Sequence, residues 1–549
     1  MKHRGEPSEN SSLIQPSLES SSYNTLTDDR QGYNWNVEID VKGQVNTGPE
    51  EERFTFSFQK LLKYTGPGWL MSIAYLDPGN LESDLQAGAI AGYKLLWLLL
   101  WSHMAGLMIQ ILSARLGVVT QKHLAQLIRK NYTRPASVMI WIFTQLAIIG
   151  SDIQEIIGTA IALKIIFRLK LWIGVMITAT DTFFFMWLQQ YGVRKMETFF
   201  MSLIGLMIAC FWIEMFASHP NMELLLKGIL VPEIPEDAKV QAVGMVGCVI
   251  MPHNMFLHRY NRKISTKKGE THTNVRCSAL VMSRHLGQNP SDNKKKEANF
   301  YFAIESTLAL ITSYLINLAI VVVFAQVFYN PGQVITQLPG LYDASEVLSS
   351  TLGKYAKYFW ALGLLAAGQC STMTGTLAGQ YVVEGFLGAI FKKQWHRVAV
   401  TRAVALVPSM IVAIYAVDRF DTMGEFLNVL QRQVKTFIAY LVLNSCCLYS
   451  LCLPAAIIPI LKLTASSKIM SPNFKNSLIM NLIAWSISFI VIGFNVYLFL
   501  NYLDDLSWPT YAVVFGLIYF AFVVYLIYMP LEIPVDDKET EVVGNGGLA

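Results

Sequence analysis

The sequence predicts an all-α polytopic membrane protein, and three features carry that prediction. Of its 549 residues 53% are hydrophobic and 15% charged, a balance too apolar for soluble domains. About twelve apolar windows are each long enough to cross the hydrocarbon of a bilayer as a helix. Two of those windows, Trp69 to about Tyr93 and Val240 to Leu257, are interrupted by related words, Asp77-Pro78-Gly79-Asn80 and Met251-Pro252-His253-Asn254. Apolar segments broken at corresponding points in two halves of a chain point to a substrate site near the bilayer midplane.

Taken in order, residues 1–62 are polar, Ser-rich and mixed in charge, and read as a disordered cytosolic tail with no cleavable signal. The transmembrane domain, 63–530, holds windows near 66–90, 95–117, 137–163, 171–189, 197–217, 239–258, 300–328, 355–391, 399–417, 423–463, 476–500 and 508–529. Residues 531–549 form a short C-terminal tail. If the N-terminal tail is inside, the loops on its side collect most of the Lys and Arg, among them Arg129, Lys130, Arg194, Lys195, Lys392 and Lys393. The opposite loops hold few, such as Lys94, Lys170 and Lys227, so both termini are expected in the cytosol. The net charge of +4 belongs to those loops, and nucleic-acid binding is not expected. The seven Cys include no CxxC pair and read as packing residues.

The interruptions are costly enough to need a reason. An Asp at bilayer depth costs about 2.5–3.5 kcal/mol, and a Pro inside a helix about 3 more. Asp77 offers a hard carboxylate oxygen, Asn80 a neutral one and Met251 a soft sulfur. The second break adds the backbone carbonyl of Cys248, which an intact helix would consume. Ca²⁺ and Mg²⁺ gain little from a thioether, whereas Fe²⁺ and Mn²⁺ accept one better, so the set points to a divalent transition ion. His253 beside it titrates near neutrality in its unperturbed state. His258 lies about 140° further round an α-helix, so the two are not expected to face one point. Asp152 and Glu155 share a helix face and read as a proton relay, or as a structural ion pair with Arg402. A divalent ion and one proton crossing together would move three charges, worth about 7 kcal/mol per 100 mV. The small and hydroxylated run from Gly368 to Gln380 fits close helix packing or a substrate role equally.

Four stretches, GPGWLMSIAYLDPGNLESDLQAGA, GSDIQEIIGTAIAL, MPHNMFLH and AAGQCSTMTGTLAGQYVVEGFL, resemble the Nramp family, particularly its animal-type divalent metal transporters. The resemblance spans roughly residues 55–530. It implies a LeuT-like fold of two inverted five-helix repeats plus two further helices, with spans 1 and 6 broken. It implies proton-coupled import of Fe²⁺ and Mn²⁺, no resident cofactor and no enzymatic activity, in the plasma membrane or an endosomal membrane. By position, Asp77, Asn80, Met251 and the Cys248 carbonyl correspond to the family's metal ligands, with Cys248 standing for a more usual Ala. An amide of the tenth span also approaches the metal in that family; Asn428 is the first choice here and Gln431 the second. His253, Asp152 and Glu155 fall on positions tied to proton movement.

Two stretches depart from the family pattern. Arg259 to Cys277 and Arg432 to Tyr449 are extra, each in frame and each interrupting a motif within a helix, and they read as retained introns or gene-model errors. Taken as genuine, the first would end the sixth helix early and the second would lengthen an adequate span. The rival readings are a sodium-coupled organic-solute transporter of the same fold and a transport-inactive splice form. An intramembrane metallohydrolase lacks its HExxH signature here.

Overall fold

A computed structural model describes residues 75–190, 193–257, 291–330, 339–387, 445–505 and 509–531, with single positions at 56–58, 61, 403, 406, 407 and 410. Among these residues there is no strand. The predicted all-α class therefore holds.

The second half of the first window is α1 (Pro78–Ala91), which starts at Pro78 because the sequence begins a helix there rather than continuing one. Asp77 is the N-cap in extended geometry, its Oδ1 accepting the Asn80 N–H at 3.0 Å, and Pro78 fills the first helical position, where a missing N–H costs nothing. The helix stops at Gly92, whose φ of +60° suits a residue without Cβ. Helix α2 (Leu96–Thr120) returns across the membrane, the amphipathic α3 (Leu124–Asn131) buries Leu124, Leu127 and Ile128, and α4 (Arg134–Phe167) crosses again. Helices α5 (Leu171–Gln190) and α6 (Val193–Ala217) follow. The Met201–Ala217 part of α6 and α7 (Met222–Leu230) bend by 119° at their junction, where Asn221 caps α7.

The sixth window breaks as expected: α8 (Lys239–Val249) ends before Met251, and a 3₁₀ helix runs from Pro252 to Leu257. Beyond it lie α9 (Asp292–Phe328), α10 (Leu341–Thr351), α11 (Ala356–Leu387), α12 (Ser445–Ala465), α13 (Leu478–Asp505) and α14 (Pro509–Tyr528). Helices α2, α4, α9 and the Leu478–Tyr497 part of α13 are each long and apolar enough to span a membrane. With 37 residues, α9 reaches about 55 Å, well beyond ~30 Å of hydrocarbon. Its first turn, from Asp292 to Lys296, is charged and largely exposed. Windows 66–90 and 239–258 give short helices because each is broken. Most of 399–417, and 423–463 up to 444, lie outside the described residues. So do most of both terminal tails, residues 259–277, His258, Arg402, Asn428 and Gln431.

The packing centres on α1, α4, α8, α9 and α11. The most extensive pairings are α4 with α11 and α1 with α9, and α8 packs on both α1 and α12. Trp360 of α11, fully buried, meets Phe324 of α9 edge-on at 5.1 Å and donates its indole N–H to Leu341 O at 2.9 Å. Such burial of an aromatic whose polar end is satisfied is the stabilising form. At the far end, the Lys462 ammonium of α12 donates to Leu526 O (2.8 Å), Ile527 O (3.0 Å) and Met529 O. It caps the last turn of α14, where carbonyls lack helical partners and the dipole favours a cation. In the loop after α1, Lys94 pairs with Glu233 at 2.5 Å and Trp97 donates to Glu233 O at 3.1 Å. The Glu233 carboxylate raises the Lys94 ammonium above its ordinary pKa, but a half-exposed pair adds little stability, about 0–1 kcal/mol.

Candidate metal site

The two interrupted segments come together at their breaks. The N-terminus of α1 and the C-terminus of α8 abut, and the Cys248 thiol lies 3.7 Å from Gly79 O. Asp77, Asn80, Cys248, Met251 and His253 are all buried, each at most 2% exposed. Capping uses Asp77 Oδ1, while Oδ2 has no hydrogen-bond partner among the described residues. A buried carboxylate oxygen in that state is an incomplete arrangement. Cys248 belongs to the last turn of α8, where backbone carbonyls find no N–H within the helix. Met251 packs with Cys248, Ala147, Tyr449 and Cys452, and lines a small cavity with Tyr75, Gln110 and Asn254. Among the described residues no cluster of three or more His, Cys, Asp or Glu side chains has metal-binding geometry. Any ion held here would take mixed donors, one carboxylate with amide, thioether and carbonyl groups.

The neighbouring helices hold this turn in place. Ser313 and Asn317 of α9 donate to Tyr75 O at 3.4 and 3.2 Å, fixing the chain two residues before Asp77. On the α8 side, Ser113 Oγ donates to Met255 O at 2.7 Å, tying the 3₁₀ segment to α2. His253 rides on that segment, which packs against α11 and α4. His258, expected on a different face from His253, lies outside the described residues.

Asp152 and Glu155 share a face of α4 as their spacing requires, and the face is turned to α11. Ser371 Oγ donates to Glu155 Oε1 at 2.6 Å, and Ser151 Oγ donates to the same oxygen at 3.1 Å. A Cβ on Gly375 would lie 3.2 Å from Glu155 Oε1 and 3.3 Å from Asp152 Oδ1. Glycine there makes room for the pair. The Gly368–Gln380 run is thus the wall against which the carboxylates sit.

Sequence reasoning missed the polar residues that support the site: Ser313, Asn317, Gln154, Ser371 and Tyr449. Asn317 was the most accessible of them, a lone amide in an apolar span. Ser371 lay in a run already singled out, though not assigned to Glu155.

The chain matches the family described as "Natural resistance-associated macrophage protein-like" over residues 68–447. It is 45% identical over 453 residues to "Metal transporter nramp1 homolog" of Dictyostelium discoideum, covering 82% of this chain and 77% of that protein. It is 41% identical over 508 residues to "Natural resistance-associated macrophage protein 2" of Homo sapiens, covering 88% and 82% respectively. Among solved structures it resembles a manganese transporter of Eremococcus coleocola, with a TM-score of 0.69 and 28% identity over 87% of this chain and 95% of that one.

Proposed function

Because the chain belongs to the Nramp family, we propose that it imports Fe²⁺ and Mn²⁺ into the cytosol together with protons. Transport of divalent metal ions across a membrane it spans several times, rather than enzymatic turnover, follows from the membership itself. The finer reading rests chiefly on one observation, the approach of the Asp77–Asn80 turn at the start of α1 to the end of α8, where Cys248 touches Gly79 O and packs with Met251. Asp77, Asn80, Met251 and the Cys248 carbonyl bind the dehydrated ion, and an amide at Asn428 or Gln431 completes the set. The thioether disfavours Ca²⁺ and Mg²⁺. His253, Asp152 and Glu155 carry the proton, with His258 and Arg402 as further members of the path.

The sodium-coupled solute rival needs a helix N-terminus open to a substrate carboxylate. Here that end of α1 is capped by the carboxylate of Asp77, which repels such an anion. Both termini face the cytosol, and either an acidic exterior or an acidic endosomal lumen supplies the driving gradient.

Cells expressing the chain should take up Mn²⁺ several-fold faster at about pH 5.5 than at about pH 7.5, since the outer proton activity rises about a hundredfold. Uptake equal at both values would remove the proton from the proposal. Uptake competed by amino acids rather than by Fe²⁺ would replace the substrate. Cys248→Ala should leave the Mn²⁺ KM within about twofold, because the ligand is a backbone oxygen and the thiol makes only a weak contact. A larger rise in KM would make the sulfur a ligand instead.

A further inference from the structure

The last residue of the second extra stretch is built into the site. Tyr449, fully buried near the start of α12, donates its phenol O–H to Gln154 Oε1 at 2.8 Å, and its side chain packs with Met251 and Cys248. Gln154 stands on α4 between Asp152 and Glu155, and its carboxamide rests on Gly79. A Cβ at Gly79 would meet Oε1 and would lie 2.6 Å from Cδ and 3.0 Å from Nε2. The sequence of contacts Tyr449, Gln154, Gly79 therefore joins α12 and α4 to the turn that carries Asp77 and Asn80.

The place of residue 449 is set by its C-terminal neighbours. Ser450 Oγ donates to Asn495 Oδ1 at 2.5 Å, Asn495 Nδ2 returns a bond to Ser450 O at 2.7 Å, and Tyr519 donates to Leu451 O at 2.8 Å. These bonds hold α12 from Ser450 onward, whatever precedes it. A chain lacking 432–449 would join Gln431 directly to Ser450 and so bring Gln431 to the place of Tyr449.

We propose that position 449 is a positioning site that must offer a hydrogen-bond donor to Gln154, thereby steadying the Asp77–Asn80 turn. Tyr449 supplies a phenol in this chain, and Gln431 would supply a carboxamide in the shortened one. The proposal rests on the metal-importer reading of that turn. It makes the exchange of Gln431 for Tyr449 neutral at this one position.

The test is Mn²⁺ affinity of the purified full-length protein in detergent, measured by titration calorimetry, with Asp77→Ala as the reference for a lost site. Tyr449→Phe keeps the ring and loses the donor, and should weaken Mn²⁺ binding about two- to tenfold, the factor carried by one hydrogen bond. Tyr449→Gln restores a donor and should stay within about twofold of the parent. On a Gln154→Ala background, Tyr449→Phe should add no further loss. If the residue served packing alone, the order would reverse, with Phe neutral and Gln impaired. That reversal, equal loss in both variants, or additive loss with Gln154→Ala would each overturn the proposal while leaving the importer intact. A parent that binds Mn²⁺ no better than Asp77→Ala would bring down the importer site and this proposal with it.

Discussion

Asp77→Ala is expected to lower Mn²⁺ uptake about a hundredfold or more while the protein still reaches the membrane. The carboxylate is the one anion in the donor set proposed above, and it is fully buried. Removing one member of a buried charge pair costs about 3–5 kcal/mol, a factor of roughly 100 to 4,000. Alanine also removes the N-cap of α1, about 0.5–2 kcal/mol of local stability, so Asp77→Asn is the informative companion. Asparagine caps a helix nearly as well as aspartate and carries no charge. Uptake measured per molecule at the surface should be lost in both variants, with Asp77→Asn retaining the parent's thermal stability in detergent. An Asp77→Asn protein that transports at the parental rate would show that the residue serves the fold rather than the ion.

Glu155→Gln and Asp152→Asn should remove the acid stimulation of uptake. Both carboxylates lie against α11, and Glu155 Oε1 receives two serine hydroxyls. An amide has the same shape and an oxygen that still accepts from both serines, but it cannot exchange a proton across the working pH range. The ratio of uptake at about pH 5.5 to that at about pH 7.5, several-fold in the parent, is expected to fall to about one in at least the Glu155 variant. Uptake should persist at the lower level, since the metal donors are untouched. An unchanged ratio in both variants would move the proton path elsewhere, with His253 next to be replaced.

Both helix breaks were legible in the sequence because their causes are local. Asp77 followed by Pro78 specifies a cap and a first turn, and Pro252 just after Met251 cannot continue the hydrogen bonding of α8. The shared face of Asp152 and Glu155 followed from spacing alone. What escaped depends on contacts between residues far apart in the chain. Gln154 and Tyr449 are 295 positions apart, and neither a neutral amide beside two carboxylates nor a tyrosine in a distrusted stretch signals the other. The 3₁₀ geometry after Pro252 was likewise hidden, since an α-helical period was the natural assumption there. Helices α3, α7 and α10 are too short to register as spanning windows, and become visible only through their amphipathic faces.

On the proposed metal-site reading, the double use of Asp77 bears on how long an ion stays. Its Oδ1 is engaged by the Asn80 amide, so an arriving cation finds one oxygen at its disposal and must compete with the backbone for the second. Each 1.4 kcal/mol withheld in this way shortens the dwell time of the bound ion about tenfold at a fixed rate of arrival. A storage protein would lose by such an arrangement. A carrier gains, because its throughput is limited by the slower of capture and release, and the backbone hydrogen bond stands ready to re-form as the ion departs.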